Sequence, residues 1–435
     1  MVRLPFLPCL FALSLAWALV SQNGGGLQAL LERYRSEPGN ALLCEQIGVE
    51  YTKANDLGKA STFFQKAMTL DPNQIPAQKN LATVLWFLGK RNESIAIFQR
   101  LEKRVPNDPV PQLYLGLEDY DQKNMSAAAQ HFERAGALVS DNPETFPIAI
   151  DTYIAAGRQE RAIQLLEARI SSGSSDSQIY RWLGESYDSQ MQPEKAIKAY
   201  TAALAQAPEA EENYLALAGF SLAHANPSYA RRVLQRGLDR KPNSAKLVLE
   251  LGLACAMQGD FEQAKQYFVK ANEADHSWSL PLIALGVTDL QTGDAQKAAE
   301  YFGQAKMVAP DDYRCYYLHA VAMNRSVGHQ DTASRAAQRS ELRRAIELNP
   351  RYAKTRVALA ETEIADGRTT EAASELREAI RLEPAEPTPL YKLALLCRRE
   401  GKTQESQQLL REFQRLKNQS HADENEFVLV LKTLN

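Results

Sequence analysis

"AIELNP", residues 345–350, ends on a proline that has no backbone N–H to donate and so closes the helix before it. Its variants recur along the chain: "AMTLDP" at 67–72, "ALAQAP" at 203–208, "AKMVAP" at 305–310 and "AIRLEP" at 379–384. The prolines keep a fixed spacing. Pro72, Pro106, Pro208, Pro242 and Pro310 are separated by multiples of 34 residues; Pro350 follows after 40, and Pro384 restores the step of 34. At the steps without proline stand Ser140, Ser174 and His276, so the motif decays while the length is kept. A fixed period of this size marks a solenoid, in which each unit buries its apolar face only against its neighbours.

The same residue classes return inside each unit. Gly48, Tyr51, Ala60, Phe64 and Ala67 precede Pro72 at the spacing with which Gly184, Tyr187, Ala196, Tyr200 and Ala203 precede Pro208; Gly286, Ala298, Phe302 and Ala305 stand likewise before Pro310. Small residues let two helices approach, and large ones fill the gaps beside them. Gly89, Gly157, Gly259, Gly293, Gly367 and Gly401 share one position between the two helices. There a left-handed residue ends the first helix. Each unit is therefore expected to be a helix-turn-helix hairpin, and the fold all-α.

This skeleton, Gly/Ala…Tyr…Ala…Phe/Tyr…Ala…Pro at 34 residues, resembles the tetratricopeptide repeat (TPR). The resemblance implies a right-handed superhelical solenoid of about eleven units over residues 41–418. The unit at 143–177 is weak, with Ile150 where a small residue is expected and "SSGSSDS" at its seam, and we expect a loosened repeat and a hinge there. Six residues are inserted within 313–352. Before the array, residues 19–40 read as a Gly-rich linker and an N-terminal capping helix; after it, residues 419–435 read as a C-terminal cap.

The first residues differ in kind. In "MVRLPFLPCLFALSLAWALVSQ", Arg3 precedes an apolar run from Leu4 to Val20, and Ala16-Trp17-Ala18 offers a signal peptidase small flanking residues. The expectation is a signal peptide at 1–18, and hence a protein exported to the periplasm, cell envelope or exterior. The alternative is a retained anchor to about residue 20, facing outward, the one route to membrane association. Beyond this segment Cys44, Cys255, Cys315 and Cys397 form no CxxC and no close pair, and read as small buried helix residues.

With 50 Lys+Arg against 53 Asp+Glu, the formal charge is −3, and nucleic acid is not an expected partner. Eleven hairpins leave almost no chain for a catalytic domain. Six single histidines form no HExxH and no His–Cys cluster, and no phosphate-binding or nucleophile-elbow motif is present. No cofactor, no metal, no small-molecule ligand and no catalysis are expected. By the resemblance, the first helix of each unit lines a concave face. That nominates Lys79, Trp86, Phe87, Leu113, Tyr114, Leu117, Tyr120, Trp182, Leu249, Leu253, Ile283 and Tyr317 as contacts for a partner peptide or helix. The chaperone-tail clamp of some relatives needs Lys-x-x-x-Asn and Lys-x-x-x-Arg; here Lys79 is followed by Thr83 and Arg181 by Glu185, so that ligand is not expected. A basic stripe, Arg335, Arg339 and Arg343, repeats every four residues and would suit an acidic ligand unless Glu341 and Glu347 neutralise it. The function expected is a protein-interaction scaffold in the exported compartment. Its rival is a polysaccharide- or envelope-polymer-binding component of an export or assembly machine, using Trp86, Trp182 and Tyr120 to stack on sugars.

Overall fold

The computed structural model describes residues 26–174, 176–326 and 331–419. Among them are 24 helices and no strand. The segment read as a signal, and the tail from residue 420, lie outside the described residues. After the helix Leu27–Ser36, the helices pair as hairpins, each with a leading and a trailing helix. The first compact unit, the described residues up to Ala203, carries Ala41–Lys53 with Leu57–Leu70, Ile75–Phe87 with Arg91–Arg104, Pro109–Asp121 with Met125–Ala135, Thr145–Ala155 with Gln159–Ser171, and Ser177–Ser189 with all but the last turn of Pro193–Gln206. The second, Leu204–Asn435, carries Glu211–Ala223 with Pro227–Arg240, Ala245–Met257 with Phe261–Ala274, Leu280–Thr292 with Ala295–Val308, Tyr313–Arg325 with Thr332–Leu348, Ala353–Ala365 with Thr369–Leu382, and Thr388–Arg399 with Thr403–Gln419. The fold is the all-α array of hairpins that the period implies.

Each hairpin closes on one contact. A Cβ placed on Gly48 would stand 2.6 Å from the Phe64 ring; for Gly116 and Phe132 the distance is 2.7 Å, for Gly184 and Tyr200 2.8 Å, for Gly252 and Phe268 2.5 Å, and for Gly286 and Phe302 2.6 Å. Where the trailing helix brings leucine instead, the leading helix brings alanine: Ala218 with Leu234, and Ala360 with Leu376, all wholly buried. The weak unit replaces both partners at once, with Ile150 and Leu166 at 0% exposure. The position of Ala60 and Ala196 is polar in three hairpins, and there the side chain bonds to the leading helix: Ser94 Oγ to Ala82 O at 2.7 Å, Gln338 Nε2 to Ala320 O at 3.2 Å, and Ser406 Oγ to Ala394 O at 2.8 Å.

The turn between helices is equally regular. At the shared glycine position, Gly89 has φ +75°, and where glycine is missing the chain still goes left-handed, at Asn55 (58°), Lys123 (63°), Met191 (57°) and Ala225 (52°). In each, the next residue's N–H closes the helix by reaching back five residues, as Lys90 does to Leu85 O at 2.9 Å and Asn226 to Ser221 O at 2.8 Å.

The irregular stretches have local causes. Gly136, at φ +56°, ends the helix Met125–Ala135 early, and the short helix Ala137–Ser140 fills the seam where proline is lacking. In the inserted unit, the trailing helix Thr332–Leu348 runs 17 residues where the preceding one has 14. Leu27–Ser36 covers the open side of the first hairpin through Leu30, which meets Leu43 and Ile47, while Tyr34 packs edge-on to Phe63 at 5.5 Å.

Candidate interaction surface

The residues nominated from the sequence fall into groups by burial. In the first unit, Lys79, Trp86, Phe87, Leu117, Tyr120 and Trp182 are half-buried and reach solvent. Leu113 and Tyr114, at 5% and 6% exposure, do not: Tyr114 stacks on Phe98 with centroids 4.7 Å apart, and both are packing residues rather than contacts for a partner.

The accessible side chains are held by their neighbours. Lys79 donates to Asp108 Oδ2 at 2.6 Å, tying one leading helix to the start of the next. Trp86 meets the edge of Tyr114 at 5.2 Å, and the Arg91 guanidinium lies 4.0 Å from its ring centre. Arg91 is in turn fixed by Asp121 at 2.5 Å. Phe87 and Leu117 lean on the core of the same hairpins. Tyr120 donates its hydroxyl to Asp151 Oδ2 on the following leading helix at 3.3 Å.

Asp151 and Glu185 are exposed, one period apart on consecutive leading helices, at the position of Leu117. Neither was nominated from the sequence, where the search for a groove favoured apolar and aromatic side chains; continuing the step of 34 from Leu117 finds both. Glu185 is accessible, yet protein surrounds it closely enough that desolvation, with the charge of Asp151, lifts its carboxyl above the usual range.

In the second unit, the nominated aliphatic residues are core. Ala245–Met257 buries every residue from Leu247 to Ala256, and Leu280–Thr292 every residue from Leu280 to Asp289. A helix apolar on all sides is an enclosed helix. Leu249, Leu253, Ile283 and Tyr317, at 2%, 5%, 0% and 9% exposure, therefore offer nothing to a partner. Both helices are covered by neighbours on several sides, Ala245–Met257 by Pro227–Arg240, Phe261–Ala274 and the leading helix Glu211–Ala223, and Leu280–Thr292 by Phe261–Ala274, Ala295–Val308 and the leading helix Tyr313–Arg325.

The basic stripe is a correction of the same kind. Arg335, Arg339 and Arg343 share a face, but Arg335 and Arg339 are turned into the contact with the next hairpin, while Arg343 at its edge stays exposed. Arg335 Nε donates to Asp366 Oδ1 at 2.5 Å; Arg339, 8% exposed, is paired with Asp366 and lies 3.2 Å from Glu363 Oε1; Arg343 lies 3.6 Å from the same carboxylate. Glu363 also meets Arg368 at 3.5 Å. The two glutamates expected to neutralise the stripe serve other cations, Glu341 taking Lys306 at 2.7 Å and Glu347 taking Arg344 at 3.1 Å. The stripe is an ionic lock between hairpins.

For chemistry the described residues offer little. They contain no group of three or more His, Cys, Asp or Glu placed to hold a metal ion, and no helix long and apolar enough to cross a membrane. The four described cysteines are free and buried, and burial pushes the Cys315 thiol up to about 12, which leaves it unreactive. His131 meets Asp119 at 3.4 Å and Glu102 at 3.8 Å, but burial outweighs both carboxylates and lowers its pKa.

A family model described as "Tetratricopeptide repeat" matches residues 149–211, 222–275 and 357–421, and a second of the same description matches 41–74. Among curated proteins, the chain is 26% identical over 171 residues to tetratricopeptide repeat protein 1 of Schizosaccharomyces pombe, covering 36% of this chain and 16% of the relative. It is 25% identical over 321 residues to the CTR9 homolog of Arabidopsis thaliana, covering 71% and 26%. With anaphase-promoting complex subunit 3 of Schizosaccharomyces pombe, identity is 20% over 273 residues, covering 63% and 36%. The chain thus spans about a third or less of the length of these relatives. Among solved structures, yeast Tom70 is 16% identical with TM-score 0.47, covering 94% of this chain and 91% of that one. The Cut9–Hcn1 hetero-tetramer of the APC/C is 14% identical with TM-score 0.45, covering 98% and 99%.

Proposed function

We propose that this chain, which belongs to the tetratricopeptide-repeat family, is a non-catalytic scaffold that binds a protein partner on the leading-helix face of its first unit, in an exported compartment. The family fold is one typical of protein–protein interaction. The observation that supports this face is a run of three consecutive leading helices, Pro109–Asp121, Thr145–Ala155 and Ser177–Ser189, on which Leu117, Tyr120, Asp151, Trp182 and Glu185 all reach solvent, whereas Ala245–Met257 and Leu280–Thr292 are enclosed at Leu249, Leu253 and Ile283. A preformed face on rigid hairpins costs the array little order on binding. Export is supported by Arg3, the apolar run Leu4–Val20 and the Ala16-Trp17-Ala18 site.

Stacking on a polysaccharide needs a flat ring open to solvent. Arg91 covers Trp86, and the Tyr120 hydroxyl is engaged by Asp151, which favours the protein-binding reading over the polymer-binding one. Photo-crosslinking separates the two. A benzophenone side chain at position 120 or 182, in the full chain expressed in its host, is expected to capture a discrete protein, and the same probe at Met307, 85% exposed on a trailing helix, is expected not to. Identical patterns from all three sites, or adducts to glycan alone, would overturn the reading. The first residue of the chain recovered from the host tests export: a start near Leu19 supports cleavage, and an intact Met1 removes it.

A further inference from the structure

We infer that the seam between Ala295–Val308 and Tyr313–Arg325, in the second compact unit, binds a small uncharged aromatic molecule that carries a hydroxyl or carbonyl oxygen. The sequence alone predicts no small-molecule ligand, and this site shares no residue with the partner face of the first unit. Arg231, Lys265, Ala299 and Arg339 hold one position of successive trailing helices. Each of the three cations bridges to the next hairpin: Arg231 donates to Gln258 Oε1 at 2.6 Å, Lys265 meets Asp289 at 2.5 Å, and Arg339 lies 3.2 Å from Glu363. At Ala299 the bridge is gone, because alanine replaces the cation and Met323 stands where Asp289 and Glu363 stand in their units. Two further departures from the repeat fall on the same spot. Gly303 takes the position of Gln235, Val269 and Arg343, and His319 that of Leu251, Leu285 and Leu359, three leucines buried in their own hairpins. Together they leave a recess of about 460 Å³ between the two helices, lined by Ala299, Glu300 and Gly303 on one side and by His319 and Met323 on the other. That volume is in the range of small-molecule sites.

The hydrogen bonds around His319 decide what the recess offers. Lys306 Nζ stands 2.9 Å from His319 Nδ1 and donates to Glu341 Oε1 at 2.7 Å. An ammonium only donates, so Nδ1 accepts and the ring proton sits on Nε2. A Cβ on Gly303 would stand 4.0 Å from Nε2, so the missing side chain leaves that N–H turned to bare backbone and to the recess. A ligand must therefore bring an oxygen acceptor. The rest of the wall is mostly apolar, with the Ala299 methyl, the Gly303 Cα and the Met323 thioether, which makes favourable contacts with aromatic rings. Charge selects against ions. Lys306 and Glu341 neutralise each other, an anion would meet Glu300, exposed at the rim, and a cation would meet the Nε2 proton.

The test uses the full chain with isotope-labelled methionine methyl groups, read by NMR, with Met323→Leu identifying the reporter signal. p-Cresol, toluene and p-toluate are titrated separately. p-Cresol is expected to move the Met323 methyl saturably and to bind about fivefold more tightly than toluene, which lacks the oxygen, while p-toluate moves nothing. His319→Leu brings in the residue of the neighbouring hairpins and should erase the difference between p-cresol and toluene. Gly303→Gln brings in the residue found at Gln235, favours the helix, and should fill the recess and lose both ligands. Both variants should keep the circular dichroism of wild type, because each residue is one the repeat already houses; the comparison of p-cresol with toluene on wild type holds without them. Equal binding of p-cresol and toluene, a preference that survives His319→Leu, shifts that persist in Gly303→Gln, a preference for p-toluate, or a Met323 methyl that nothing moves would each overturn the inference.

Discussion

Replacing Gly252 by alanine sets two effects of known size against each other. Alanine is favoured over glycine inside a helix by about 1 kcal/mol. Against this, the new methyl would stand 2.5 Å from Phe268 Cε1, 2.7 Å from its Cδ1 and 3.2 Å from the carbonyl oxygen of Ala264. Carbon atoms prefer about 3.5–4.0 Å, so roughly 1 Å must be found. Phe268, at 0% exposure, has no free volume to retreat into, and the Ala264 backbone blocks the other side. Overpacking of this kind costs about 1–3 kcal/mol. The net expectation for Gly252→Ala is destabilisation by up to about 2 kcal/mol. Gly219, also inside a leading helix, has nothing within 4 Å of the position its Cβ would take, so Gly219→Ala keeps the propensity gain and should stabilise by up to about 1 kcal/mol. Phe268→Leu should rescue Gly252→Ala by at least about 1 kcal/mol relative to additivity, because it creates the pairing already present at Ala218 with Leu234 and Ala360 with Leu376. Hairpin two, where Ala82 and Phe98 are both wholly buried, marks the limit: a hairpin built around that pair can house it. Because stability in an array is local, the assay is hydrogen exchange over Ala245–Met257 and Phe261–Ala274, with urea unfolding beside it. If Gly252→Ala proves as stable as Gly219→Ala, or the double variant is additive, the lock between glycine and ring does not set hairpin stability.

Three further outcomes are expected from other parts of the fold. Lys123, Met191 and Ala225 hold left-handed turns without glycine, so changing each to glycine should raise stability by about 0.5–1 kcal/mol in thermal unfolding, and the smallest gain should come at Asn55, whose side chain tolerates that conformation. Glu45, 2% exposed and accepting from Asn80 Nδ2 at 2.9 Å, has its carboxyl raised by burial from an ordinary value of 4.5. A raised folded value means the folded chain holds the proton more tightly, so that stabilisation is present below 4.5 and is lost as pH rises through the folded value. Glu45→Gln should therefore be more stable than wild type at neutral pH, with an advantage that shrinks below the carboxylate range; equal gains in urea midpoint at both pH values would refute this. Glu363→Gln removes one counter-charge from buried Arg339 while Asp366 remains, and should cost up to about 3 kcal/mol; Asp289→Asn should cost less, because its partner Lys265 keeps 26% exposure and can reach water, and urea unfolding of the two variants checks the order.

The period of 34 and the Gly48/Phe64 type of lock were legible because packing two helices at one crossing needs the same sizes at the same places each time. The turn was legible only where it used glycine. At Lys123, Met191 and Ala225 the backbone keeps the geometry because the flanking helices impose it, at a local cost too small to force the residue type. The surface was less legible. The register placed Leu249 and Ile283 on the leading-helix face, but how far neighbouring helices cover that face is set by several hairpins together and leaves no mark at a single position. The arginine stripe failed for a related reason: its counter-charges, Glu363 and Asp366, sit in the next unit, beyond the reach of spacing along one helix.

That difference between leading helices bears on where selectivity can reside. Residues that lock a hairpin recur with the period and carry no information about a partner. Those that line an enclosed leading helix, such as Val287 and Leu253, are constrained by packing and carry none either. What is left free to vary is the accessible side of the open leading helices, and across Pro109–Asp121, Thr145–Ala155 and Ser177–Ser189 the skeleton is at its weakest: Ile150 replaces the small residue, and the seam before Ser177 lacks its proline. A unit whose packing motif has drifted while its hairpin persists has been released from part of the repeat's size constraint, and its exposed positions hold Asp151 and, one period on, Glu185. A partner that distinguishes this array from others of the same fold can do so here, by charge and by the rings of Tyr120 and Trp182, whereas the enclosed helices Ala245–Met257 and Leu280–Thr292 present it with no comparable surface.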